Sequence, residues 1–275
     1  MPSAAAPLPL SNPQDRGRRR GLAASAVVGA TLAAAILGSP ARGERSAVPG
    51  TTAGATQIEP LAAPGLPAGL FPRPDRPVAG IVSNQWSTED TRERAGEAKA
   101  VMDLLGVRPG MRVADVGAGA GYYTINLARR VGPTGRVIAE DVVPSYLEGL
   151  RRRVERERLG NVVVALGAPH DPRLPPRSVD LALMVHMYHE IQQPFGLLAN
   201  LWPAVRPGAR VAILDANRPT PQHGTPPPLL TCELAAVGYR QIGWHWLEGR
   251  ATYLAVFEPP PRPPKPASIV PCRAP

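Results

Sequence analysis

Two stretches of the chain hold residue types and spacings that can do chemistry. Val113-Ala-Asp115-Val-Gly117-Ala-Gly119-Ala-Gly121-Tyr122 places glycines at alternate positions directly after an apolar run. Glycines at the carboxyl end of a strand let the backbone turn tightly and approach a ligand, and such loops commonly take a nucleotide-like molecule. The second stretch, His186-Met-Tyr-His189-Glu190, groups two imidazoles with a carboxylate, side chains suited to taking a proton from a bound acceptor. Asp215, Asn217, Arg218 and His223 form a looser third group that would suit acceptor binding.

The spacing of the glycines narrows the ligand. A dinucleotide fingerprint, Gly-x-Gly-x-x-Gly, wants glycine where Tyr122 stands, so a pyrophosphate site is disfavoured. Asp115 points the same way, since a carboxylate two residues before the loop can engage the ammonium group of a methionine moiety but gains nothing beside a pyrophosphate. S-adenosylmethionine is the ligand that meets both conditions. Asp141, about one βα unit further on, is placed to accept hydrogen bonds from both ribose hydroxyls, which would suit either cofactor.

Methyl transfer is an in-line displacement, and holding donor and acceptor in line within a dry pocket supplies most of the catalysis. His186 and His189 are the candidate catalytic residues, because they directly follow the fourth expected strand and so stand at the same end of the sheet as the glycine loop. A metal site built from His186, His189 and Glu190 is not expected. Three ligands from five consecutive residues rarely converge, and the pattern is not the helical His-Glu-x-x-His.

These residues need a scaffold at the end of a sheet, and the hydrophobic pattern provides one. A capping-box-like Ser87-Thr-Glu-Asp90 opens a helix that runs to Gly106. Strands are expected at 112–116, 136–139, 162–166, 180–185 and 210–214, with helices at 123–131, 145–158 and around 195–205 between them. That alternation implies a mostly parallel α/β sheet covered on both faces. A short helix at 229–237 then leads to strands at 239–247 and 251–257, an antiparallel hairpin at the edge.

Taken together, Asp115, Gly117, Gly119 and Gly121 resemble motif I of the class I S-adenosylmethionine-dependent methyltransferases, and the resemblance extends over about residues 89–258. It implies a Rossmann-like, doubly wound, mostly parallel seven-stranded sheet with an antiparallel C-terminal hairpin, and S-adenosylmethionine as cosubstrate. It implies cofactor binding by Asp115, Gly117, Gly119 and Gly121 and ribose binding by Asp141. Members often carry Gly-Asp-Ala after the third strand, with the acid facing adenine. Here Gly167-Ala-Pro-His-Asp171 stands there, which makes Asp171 the candidate for that role. An NAD(P)-dependent oxidoreductase and a catalytically silent S-adenosylmethionine-binding module are the competing functions.

Composition sets the boundaries. The net charge is +9, but residues 81–258 hold 20 Lys/Arg against 18 Asp/Glu, a balance of +2, so the remaining +7 lies in the flanks. A near-neutral domain argues against a nucleic-acid partner and for a small-molecule substrate. Arg151, Arg152, Arg153, Arg156 and Arg158 interleave with glutamates at helical spacing and read as a solvated helix face. Arg18-Arg-Arg20, an uncharged run to Gly38 and Ser39-Pro-Ala41 have the layout of a signal peptide and loosely resemble a twin-arginine signal. Left uncleaved, the run would anchor the chain in the cytoplasmic membrane; if translation starts downstream, the protein is cytoplasmic. The expected organisation is therefore a signal or anchor over 1–41, a linker without fold over 42–80, a methyltransferase domain over 81–258 and a Pro-rich disordered tail over 259–275. Cys232 and Cys272 fall in domain and tail, so no disulfide framework and no Cys-based zinc site is expected.

Overall fold

A computed structural model of the protein describes residues 58–81, 88–247 and 251–273. The signal or anchor segment, Trp86, Ser87 and the turn at 248–250 lie outside the described residues.

Apolar runs bounded by glycine and proline become seven strands: β1 (Arg112–Val116), β2 (Arg136–Asp141), β3 (Val162–Leu166), β4 (Val179–Val185), β5 (Val205–Ala216), β6 (Arg240–Leu247) and β7 (Thr252–Glu258). They form one sheet in the order β3-β2-β1-β4-β5-β7-β6. β7 is antiparallel to both β5 and β6, and the other pairs are parallel. The expected doubly wound α/β sheet with a closing antiparallel hairpin is what the chain builds.

Six helices cover it: α1 (Glu89–Arg94), α2 (Glu97–Leu104), α3 (Tyr122–Val131), α4 (Pro144–Arg156), α5 (Pro194–Leu201) and α6 (Pro227–Ala236). Strand alternation sorts the core into two layers. Leu181, Leu183, Ala212 and Leu214 pack with Val101, Leu127 and Val131 on one face, while Ala182, Met184 and Ile213 pack with Phe195, Leu198 and Leu230 on the other. Arg151 and Arg152 pair with Glu155 and Glu148 along the surface of α4, as a solvated face should, but Arg153 turns inward to Glu89 of α1 at 2.6 Å and donates to the Ala120 carbonyl of the glycine loop, so the expected solvated face is corrected at that position.

Three expectations are corrected. The single helix expected from Ser87 is two, because Gly96 takes φ +65°, a left-handed conformation that ends α1 at Ala95 and lets α2 start in a new direction. The cap of α1 is Thr88, whose hydroxyl accepts from the Thr91 amide. Residues 58–80, the described part of the linker expected to lack fold over 42–80, lie against the domain. Leu66 exchanges hydrogen bonds with the side chain of Asn200 at 2.8 and 3.0 Å, and the Arg76 side chain is fully buried against Glu233. Proline and glycine fix backbone without producing periodicity, so the apolar pattern could not reveal this packing.

The tail is likewise not disordered over its described part. Trp202 donates to the carbonyl of Pro260, and a disulfide joins Cys232 on α6 to Cys272 across 40 residues. The sequence reading separated these cysteines because it counted the tail as unfolded. Loop-closure entropy for that separation predicts that reduction, or Cys272→Ser, lowers stability by about 2–4 kcal/mol. Urea unfolding with and without reductant measures this, and coincident curves would refute it.

Candidate active site

The glycine loop runs from β1 into α3 with all its glycines at positive φ, +73° at Gly117, +53° at Gly119 and +89° at Gly121. The amides of Gly117 and Ala118 donate to the Glu140 carbonyl, and the Gly119 amide donates to Asp141 Oδ2 at 2.9 Å. A Cβ at Gly117 would lie 2.8 Å from Met187 Cε, so the loop is pressed against the segment that follows β4. Beside it, at the carboxyl ends of β1, β2 and β4, opens a cavity of about 420 Å³. Asp115, Gly117, Gly119, Gly121 and Asp141 all line it, as do His186 and His189.

Asp171 does not line it. Its carboxylate accepts from the amides of Gly65 and Arg173 at 2.7 and 2.9 Å, so it fastens the N-terminal segment. The adenine-facing role assigned to it is thereby corrected; the acid stands three residues later than in Gly-Asp-Ala, and the intervening turn carries it away from the cavity.

The wall around the loop is acidic. Burial pushes Asp115 up to about 6, although the Thr124 hydroxyl donates to it at 2.6 Å. Burial and the neighbouring Asp141 push Glu140 well above the usual carboxylate range, and burial raises Asp141 as well. Glu140 Oε1 is buried without a hydrogen-bond partner. Such a wall fits a ligand carrying positive charge and would repel a pyrophosphate. The residues present therefore fit S-adenosylmethionine, with its sulfonium and ammonium groups, better than a dinucleotide.

Opposite the loop stands a cluster that sequence reading missed. Arg92 pairs with Glu97 at 2.7 Å and lies over the rings of Tyr122 and Tyr123, 4.5 and 5.2 Å from their centroids. Tyr123 donates to Glu97 and Tyr122 to Glu93, each at 3.0 Å. Glu97 also meets His186 Nε2 at 3.4 Å. Burial works to raise the Glu97 carboxyl, but His186 and Arg92 outweigh it and hold it at about 2. Only an acid beside the apolar face of α2 hinted at this.

The far side of the cavity is built from the ends of β4 and β5. His186 sits in the left-handed region at φ +51°, a conformation that costs a non-glycine residue energy and is common at functional sites. His189 Nδ1 meets Asp215 Oδ1 at 3.0 Å, and Asp215 also accepts from the Thr225 hydroxyl and the Ala216 amide. Asp215 is fully buried and orients the His189 ring through Nδ1, which leaves Nε2 3.9 Å from Glu190 Oε1. Arg76 supports this loop from beneath by donating to the carbonyls of Tyr188 and His189, and the Ala79 amide donates to the latter too. Trp244 stacks on Tyr253 within the hairpin, 4.5 Å between ring centroids.

Comparison with known proteins agrees with this geometry. A family model described as a methyltransferase domain matches residues 113–208. Among curated proteins, the chain is 45% identical over 65 residues to protein-L-isoaspartate O-methyltransferase of Methanothrix thermoacetophila, covering 24% of this chain and 31% of that one. It is 31% identical over 122 residues to the ubiquinone/menaquinone biosynthesis C-methyltransferase UbiE of Teredinibacter turnerae, covering 44% and 49%. The chain thus spans less than half the length of these relatives. A crystal structure of a SAM-dependent methyltransferase from Aquifex aeolicus superposes with a TM-score of 0.55 at 25% identity, over 62% of this chain and 97% of that one. The matched segment, the strand order and the acidic glycine-loop cavity identify the domain around residues 113–208 as a methyltransferase domain with the class I S-adenosylmethionine-dependent fold, which implies S-adenosylmethionine as cosubstrate.

Proposed function

We propose that the protein transfers a methyl group to a small-molecule acceptor bound between the glycine loop and the 186–190 loop. The observation that carries this reading is the shared cavity: the acid-walled glycine loop, the His186–Glu97 pair and His189, backed by the buried Asp215, border one space of about 420 Å³. S-adenosylmethionine supplies an electrophilic methyl group. Asp115 engages the ammonium end, Asp141 the ribose, and Gly117, Gly119 and Gly121 allow the backbone to approach. Glu97 stays ionised and steadies a positive charge on His186, which makes His186 the proton acceptor when the nucleophile is a hydroxyl, thiol or amine. Transfer from a labelled methyl donor to a panel of small phenols, thiols and amines tests this. The expected pattern is turnover that His186→Asn reduces about 10²-fold or more; no labelled product from any class contradicts it.

The state of Asp115 sets a pH dependence. Its raised position means that it binds a proton below about 6, which removes the charge that holds a cationic ligand. Affinity for S-adenosylmethionine should be level above about pH 7 and weaken by up to about tenfold per unit below 6. Asp115→Asn should abolish that slope.

The Cys232–Cys272 disulfide supports export of the chain by the segment at 18–41, since disulfides persist in oxidising compartments. Among the described residues no helix is long and apolar enough to cross a membrane. Cell fractionation combined with thiol labelling tests the compartment: a cytoplasmic protein with free thiols would contradict export.

A further inference from the structure

The loop at 220–224 brings His223 from outside the 186–190 segment to face it. His223 is at φ +57° and its ring meets that of His189 edge to face at 5.4 Å between centroids. Glu190 Oε1 lies 3.9 Å from His189 Nε2 and 4.0 Å from His223 Nδ1. These separations are too long for hydrogen bonds, yet one ligand atom from each residue lies within 4.8 Å of the others. An ion about 2.1 Å from each of three tetrahedrally arranged ligands would set them about 3.4 Å apart, so closures of about half an ångström toward Glu190 and of up to about 1.4 Å between the imidazoles complete the shell.

We infer that His189 Nε2, Glu190 and His223 Nδ1 form a site for one divalent transition-metal cation of the zinc class. This goes beyond the absence of a metal site expected from the sequence, where the third ligand was sought in His186. His186 is instead engaged by Glu97, and His223 takes its place.

The donor set is two neutral imidazoles and one carboxylate, which suits zinc, cobalt, manganese or iron and leaves at least one position open. The support beyond the ligands is that of a built centre. Asp215 accepts the Nδ1 proton of His189, the carboxylate–histidine arrangement that aims Nε2 at an ion and raises its basicity. The Asp215 oxygens are themselves held by Thr225 and the Ala216 amide. Arg76 and Ala79 hold the His189 carbonyl, so the ligand rests on a fixed backbone.

All three ligands line the cavity assigned to the methyl acceptor, so this role rests on that reading: an acceptor oxygen would occupy the open position, lose its proton to His186 more readily, and be held in line with the methyl group. The metal site itself does not depend on methyl transfer.

The test uses the full chain, stripped with a chelator and titrated with Co²⁺ and with Zn²⁺. One equivalent of Co²⁺ should bind with visible absorption of a tetrahedral or five-coordinate ion, displaced by Zn²⁺. Glu190→Gln and His223→Ala, each checked for unchanged circular dichroism, should weaken binding about 100-fold or more, and Asp215→Asn about 10–100-fold. If His223→Ala is poorly folded, His223→Gln replaces it. Binding that is absent in the parent, or unaltered by both ligand substitutions, overturns the site. S-adenosylmethionine affinity measured on the same samples separates the two readings. Metal bound through His223 without any adenosyl ligand would leave the site standing and sink the methyltransferase reading; the reverse result would do the opposite.

Discussion

Arg76→Ala is expected to destabilise the protein by about 3–5 kcal/mol. Both side chains of the Arg76–Glu233 pair are at 0% exposure, and they meet at 2.8 Å. Removing the guanidinium leaves a carboxylate in the core with no cation to face it, and breaking a buried pair costs more than the pair contributes as a whole. The guanidinium also sits over the Tyr188 ring and binds two carbonyls of the 186–190 loop, so the same change frees the backbone that carries His189. Urea unfolding should show the loss, and the double variant Arg76→Met with Glu233→Leu should recover most of it, because paired apolar replacements leave no orphan charge. An Arg76→Ala protein within about 1 kcal/mol of the parent would show that the segment at 58–81 does not dock as described. A fragment cut at Gly80 and Glu258 loses both Arg76 and Cys272 and should be less stable still.

Asp141→Ala should lower S-adenosylmethionine affinity about 100-fold or more. Two hydrogen bonds from ribose hydroxyls to a carboxylate are each worth about 1.5–3 kcal/mol. The substitution also frees the Gly119 and Val143 amides, which donate to the two Asp141 oxygens at 2.9 Å, so the glycine loop loses an anchor together with the ligand. Asp141→Asn separates the two effects: its carbonyl still accepts one bond, and the loss should be smaller. An affinity unchanged in both variants would remove Asp141 from the site.

Much of the sheet was legible because its signal is local. Apolar runs such as Val113–Val116 and Val162–Leu166, punctuated by Gly-rich or Pro-Gly turns, define buried parallel strands without any knowledge of their neighbours. The donor side of the site was legible for a similar reason, since Asp115, the glycines and Asp141 sit at fixed offsets from strand ends. What stayed hidden depends on contacts between distant residues. Arg76 and Glu233 are 157 positions apart, Gly65 and Asp171 are 106 apart, and neither pairing leaves a mark on local pattern. Proline content at 58–81 was read as lack of fold, but proline limits backbone freedom and so lowers the cost of docking a segment without secondary structure. His223 was noticed but could not be joined to His189, because only the folded loop at 220–224 shows which histidines share a space.

The central claim is that the acidic cavity at Asp115, Glu140 and Asp141 binds an adenosyl sulfonium. Calorimetry on the full chain with S-adenosylmethionine, S-adenosylhomocysteine and NAD tests it most directly. We expect single-site binding of both adenosyl ligands, mutual competition between them, and no heat with NAD. Binding of NAD with no response to either adenosyl ligand would contradict the assignment and return the glycine loop to the dinucleotide class.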